Sequence, residues 1–179
     1  GKVGIGTSSP DDLLHVNGGN IMITDTSPEL TFETSNSSHY NWQIAAQENV
    51  SAALEFSVGS ADADASNDTF SPKMVIEQGG NVGIGTINPD SALHIYKTAP
   101  IISLTDSNSF SDSDDRFIFR AGTPDGGFFQ WYDDSASTTT NLMFIGADGK
   151  VGIGTTNPQG VDLHVNGSAI VSGTLYVKN

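Results

Sequence analysis

The chain contains no cysteine, so no disulfide can stiffen it and no thiolate can act as nucleophile or metal ligand. Seven lysines and arginines stand against 21 aspartates and glutamates, a net charge of −14. That balance excludes the basic footprint of a nucleic-acid binder and argues against docking on anionic membranes. No apolar run approaches the length of a membrane-spanning helix, so a soluble chain without membrane insertion is expected. Helix signals are nearly missing too: Gly, Asn, Ser, Asp and Thr interrupt the sequence every few residues, and apolar residues mostly alternate with polar ones. Leu, Ile, Val and Phe supply about a quarter of the 179 residues. This lies just above the share of roughly 20 % below which highly charged chains stay unfolded. A lone subunit is therefore expected to have a lean core, with oligomerisation as the remaining way to bury surface. The acidic, Ser/Thr/Asn/Gly-rich character suits an exposed extracellular or virion protein.

What is present is a repeat. Gly-Lys-Val-Gly-Ile-Gly-Thr at 1–7 returns as Gly-Asn-Val-Gly-Ile-Gly-Thr at 80–86 and as Gly-Lys-Val-Gly-Ile-Gly-Thr at 149–155. Each copy reaches a proline three residues later (Pro10, Pro89, Pro158) and then a Leu-His-aliphatic step at Leu14, Leu93 and Leu163. Self-similarity at a long period points to an array of equivalent units. The chain opens on Gly1 rather than methionine and is expected to be a piece of something longer. The repeat divides it into a truncated first motif (1–18), a β-rich module with the second motif (19–96), another with the third motif (97–167), and the start of a further segment (168–179).

Between motifs, apolar residues step by two. Leu30/Phe32, Trp42/Ile44, Leu54/Phe56/Val58 and Met74/Ile76 do so in the first insert, and Ile102/Leu104, Phe117/Phe119, Phe129/Trp131 and Met143/Ile145 in the second. The pattern predicts about four short strands per insert. A helical turn within Asn49–Phe56 is the one local rival. Gly59–Asp68 and Ser107–Asp115 have no apolar periodicity and read as exposed loops. Asp148-Gly149 and Gly79-Gly80 predict tight hairpins in which both turn residues take positive φ. Each Val-Gly-Ile strand should thus pair antiparallel with the strand before it.

The motif strand alternates β-branched residues with hydrogen: Val3, Gly4, Ile5, Gly6; Val82, Gly83, Ile84, Gly85; Val151, Gly152, Ile153, Gly154. One face becomes a stiff ridge and the other bare backbone. Glycine within a strand costs about 0.5–1 kcal/mol against alanine, which close approach of another backbone would explain. The expected occupant is a neighbouring copy of the chain packed about a common axis, although packing within one chain would also satisfy it. A phosphate-cradling loop is excluded, because Ser9, Asn88 and Asn157 stand where Gly-x-Gly-x-x-Gly needs its last glycine and no helix follows.

The pattern Gly-x-Val-Gly-Ile-Gly-Thr-x-x-Pro followed by Leu-His-Val-x-Gly resembles the repeat of bacteriophage and prophage tail fibres and related adhesins. The resemblance covers the three motif copies, under a third of the chain. The third copy departs by one extra residue between Pro158 and Leu163, and Tyr96-Lys97 replaces the Asn-Gly that follows the other copies. The resemblance implies an all-β fold of repeated modules joined by glycine-patterned hairpin strands, intertwined as a homotrimeric fibre on a virion. The implied role is structural and adhesive, extending a shaft and presenting loops to a glycan or protein receptor on a host surface. A secreted or surface-anchored bacterial adhesin is the alternative, and a glycan-degrading tailspike the third.

Individual residues carry little chemistry. His15, His94 and His164 could converge on a threefold axis to hold a transition metal, or each could pack in its strand and bond locally. Asp62, Asp64 and Asp68, and Asp112, Asp114 and Asp115, have the oxygen-rich flavour calcium favours, but the first cluster lacks an EF-hand's turn glycine and terminal glutamate. No nucleophile elbow exists, and only Arg116 and Arg120 could stabilise developing negative charge, so no enzyme and no cofactor is expected. Trp42 and Trp131 point with the apolar set and read as core, with Tyr40 beside Trp42. Tyr132 has the opposite parity and shares a face with Phe128, Gln130 and Asp134. Asn-x-Ser/Thr sequons at Asn36, Asn49, Asn67 and Asn166 occur at the frequency such a composition gives by chance.

Overall fold

The computed structural model describes residues 1–106, 115–122, 125–133 and 136–176. The fold is all-β; among the described residues the one helical element is a single 3-10 turn at Ala65–Asn67. Two compact units divide the chain, Gly1–Tyr96 and Lys97–Asn179.

The first unit begins with a two-stranded parallel ribbon, β1 (Val3–Ile5) and β2 (Leu14–Val16). A six-stranded sheet follows in sequence order: β3 (Glu29–Phe32), β4 (Tyr40–Ala46), β5 (Ala53–Ala61), β6 (Ser71–Glu77), β7 (Val82–Ile84) and β8 (Leu93–Ile95). The second unit repeats that sheet with β9 (Ile101–Asp106), β10 (Asp115–Gly122), β11 (Gly126–Asp133), β12 (Thr138–Gly146), β13 (Val151–Ile153) and β14 (Leu163–Val165). Each sheet is an antiparallel meander through five strands, and its sixth strand is parallel to the fifth. All eight step-of-two segments lie in strands, and each Val-Gly-Ile strand of the inserts pairs antiparallel with its predecessor. The helical alternative at Asn49–Phe56 is replaced by a turn feeding β5, with Ala52 at φ 60°. Gly59–Ala61 belong to β5 rather than to a loop, and residues 107–114 lie outside the described residues.

The hairpins before the motifs differ from the expected two-residue turns. The Gly146 N–H donates to the Lys150 carbonyl at 2.8 Å, closing a three-residue loop in which Gly149, at φ 83°, takes the left-handed position. Glu77 and Asn81 close the matching loop at 3.0 Å, with Gly80 at φ 88°. This is a type I turn followed by a one-residue bulge, which needs positive φ at one residue instead of two.

After the motif strand, eight residues (85–92) carry the chain from β7 back to the start of β8. Parallel neighbours normally require a crossover of a dozen residues or more. The short return works because Gly85 adopts φ 75°, where a side chain would cost roughly 1–2 kcal/mol, and because the loop is tied down locally. The Asn88 N–H donates to Thr86 Oγ1 at 3.2 Å, a side-chain turn repeated by Ser9 on Thr7 and Asn157 on Thr155, both at 3.1 Å. The ladder bonds recur as well: Val82 N–H to Ala92 O at 3.0 Å and Tyr96 N–H to Ile84 O at 2.9 Å. The extra residue of the third copy falls at Gln159-Gly160, both at positive φ.

Candidate functional site

The cross-strand register sorts side chains onto two faces of each sheet. In the first unit one face carries Leu30 opposite Ile44, Phe32 opposite Trp42, Ile44 opposite Phe56, and Trp42 opposite Val58. The same face continues through Leu54 opposite Ile76, Met74 opposite Ile84, and Val82 and Ile84 opposite Leu93 and Ile95. The second unit repeats it with Ile102, Leu104, Phe117, Phe119, Phe129, Trp131, Met143, Ile145 and the Val/Ile/Leu positions of its motif. Phe117, Phe119 and Phe129 form an edge-to-face cluster on this surface, with centroid separations of 5.0 and 5.2 Å along the Phe119 contacts. Such pairs are worth about 0.5–1.5 kcal/mol beyond their area.

None of these side chains is buried. Trp42 is 47 % exposed, Leu30 49 %, Phe119 38 % and Trp131 39 %. Both tryptophans therefore have the predicted parity but are not core in the single chain. Tyr40 is exposed as well, beyond a register irregularity between it and Trp42.

The opposite face is the covered one, and in the first unit it is polar. Asn41, Gln43, Glu55 and Ser57 are buried there with Ala45, Ala53 and Val75. Loops roof it. Glu55, with no exposed surface, accepts Asn49 N–H and Val50 N–H at 2.8 Å and Asn49 Nδ2 at 3.0 Å, which pins the turn between β4 and β5. The Asn41 amide donates to Asp68 at 2.9 Å and to Asp62 at 3.2 Å, while Asp68 also accepts the Ser60 N–H at 2.9 Å. The Asn41 bond holds the Asp68 carboxyl below the usual range, and the Ser66 hydroxyl does the same for Asp64. Asp62, Asp64 and Asp68 thus spend their oxygens on donors of β4, β5 and their own loop, whereas Asp112 and Asp114 lie outside the described residues.

The motif glycines face this roofed side. The space beside Gly83 holds the carbonyl oxygen of Thr86 and a methyl group of Val75, and Thr7 and Thr155 fill the equivalent space at Gly4 and Gly152. The occupant is the same chain's own returning loop, so the expectation of a sister subunit at the bare face of the motif strand is overturned. Val82 and Ile84, with Val151 and Ile153, do point to the open apolar face.

The three histidines lie opposite glycine in the ladder, each on the side of its own motif loop. His15 and His94 accept the backbone N–H of Asp11 and Asp90 through Nδ1 at 3.2 and 3.4 Å, and His164 Nδ1 lies 3.1 Å from the Asn157 carbonyl. They serve their own motif loops, on the face away from the apolar surface. Among the described residues no cluster of three potential metal ligands is found.

The chain's total accessible surface is 12616 Å². A folded monomer of 18.8 kDa would expose about 8,300 Å², and two separate globules of half that mass about 10,000 Å². Exposed apolar sheet contributes to such an excess together with the exposed segments 17–26 and 166–176, and six buried hydrophobic side chains (two of them alanines) make up the core among the described residues.

No protein-family model matches the chain, and no curated protein matches it.

Proposed function

We propose that the chain is a structural and adhesive segment of a viral tail fibre, assembled as a homotrimer through the apolar faces of its two sheets. One observation carries the reading: among the described residues each sheet presents an apolar face left exposed, while in the first unit loops roof the opposite, polar face. Contiguous exposed apolar patches beyond a few hundred Å² are rare on soluble monomers and mark interaction surfaces. An identical face on every copy suits closed symmetry, in which three sheets form the walls of a prism and cover one another. The motif's resemblance to tail-fibre repeats supplies the virion context.

Antibodies raised against the chain test that context. Electron microscopy of particles released from the producing culture should show label on fibres projecting from the particles. Label confined to the bacterial envelope would favour the surface-adhesin alternative.

A further inference from the structure

The chain has two arginines, Arg116 and Arg120, and both lie on the face of the second sheet opposite Phe117 and Phe119, four residues apart on β10. Ile118 stands between them, and their cross-strand partners are Tyr132 and Phe128. Each guanidinium is stacked on its partner's ring, Arg116 at 4.3 Å from the Tyr132 centroid and Arg120 at 4.0 Å from that of Phe128. Arg120 is fixed further: its Nε donates to Gln130 Oε1 at 3.1 Å, and Gln130 Nε2 donates to Asn141 Oδ1 at 2.6 Å. Arg116 Nε is buried with no hydrogen-bond partner. Acidic residues outnumber basic ones threefold in this sequence, yet among the described residues it is Lys150 that pairs with a carboxylate, that of Asp148, and neither arginine does. An open groove of about 410 Å³ runs between the two, floored by Ile118 and edged by Ser103, Gln130 and Thr139.

We propose that this groove binds an acidic oligosaccharide, with Arg116 and Arg120 each engaging a carboxylate. Guanidinium forks match carboxylates with two parallel hydrogen bonds, and stacking keeps the fork flat so that less side-chain freedom is lost on binding. The two arginines are about 13 Å apart along the strand at roughly 3.3 Å per residue, so the ligand carries acidic groups recurring along a chain. Sugar fits better than peptide because β10 is paired on both sides, by β9 and β11. An extended peptide would find no free main-chain edge to join, whereas Ser103 and Thr139 offer hydroxyls to sugar hydroxyls and Ile118 an apolar floor. The site lies on the face away from the apolar surface, so it does not depend on the number of subunits.

The test titrates the full chain with oligogalacturonate, its neutral methyl ester and polyglutamate, followed by calorimetry. Oligogalacturonate should bind, more weakly as salt is raised, and the neutral ester should not. R116Q and R120Q should each weaken binding about tenfold or more and R116Q/R120Q should abolish it, while R116K, which keeps charge but loses the fork, should fall between. The solution mass of each variant should equal that of the parent, separating loss of binding from loss of assembly. No binding of oligogalacturonate, equal binding of the ester, or unchanged affinity in the double variant overturns the proposal. Tighter binding of polyglutamate overturns it in favour of an acidic protein partner.

Discussion

The carbonyl oxygen of Thr86 lies 2.5 Å from the position a Cβ on Gly83 would occupy. The motif is thereby a self-contained clasp, in which a strand, a short return loop and a parallel strand interlock through their own backbone. Gly83→Ala must push the loop off the strand and should destabilise the first unit by about 1–3 kcal/mol. Gly85→Ala, forced to hold positive φ at a site crowded by the Tyr96 carbonyl, should cost about 1–2 kcal/mol. Denaturant unfolding of each variant measures both, and a neutral Gly83→Ala would mean that the loop is not seated there.

Glu55 is a buried carboxylate that three donors share. Glu55→Ala strands those donors under the roof and should cost about 2–4 kcal/mol. Glu55→Gln, which sets an amide N–H₂ against two N–H groups, should cost about 1–2 kcal/mol. Hydrogen exchange at Asn49 and Val50 should quicken in both variants ahead of the rest of the sheet.

The apolar face makes different predictions for the free chain and for the assembly. Trp42→Glu and Phe119→Glu alter side chains that are substantially exposed in one subunit. If the subunit stood alone, Trp42→Glu would cost little and Phe119→Glu only its edge-to-face contacts with Phe117 and Phe129, about 0.5–1.5 kcal/mol each, with the mass unchanged in both. Buried against sister sheets, an unpaired carboxylate should break the assembly. Light scattering of the variants should therefore show a fall in mass, with retained β-structure by circular dichroism.

Asp68 carries a pH dependence. Its folded pKa lies below its unfolded value of about 3.9 because the Asn41 amide donates to it. Stability from this contact is complete above the unfolded value and is lost as pH falls through the folded one. The Ser60 amide should lose protection from exchange as pH falls through that lower folded value, and Asp68→Asn should flatten that acid response. An unchanged profile in Asp68→Asn would show that the loop closes without it.

The strands were legible in the sequence because a period of two is a property of neighbouring residues. Leu30/Phe32 through Met143/Ile145 all lie in strands and all share the open face of their sheet. Which face the loops would cover was not legible. Parity places Trp42 with Ile44, but only the paths of the 47–52 turn and the motif loop decide that the Glu55 side is roofed. The filler beside Gly83 escaped for the same reason, since it arrives from a loop that doubles back. One signal was available: a threonine followed by Pro three residues on can accept its own loop's N–H, as Thr7, Thr86 and Thr155 do. The arginine groove was out of reach because it depends on Arg116 meeting Tyr132 across a register that residue spacing does not fix.

The solution mass of the intact chain tests the assembly most directly. A single species at three times the 18.8 kDa chain mass, with one concentration-dependent melt, is the predicted result. A monodisperse 18.8 kDa particle that melts cooperatively would contradict it, because two uncovered apolar sheets would then be stable in water.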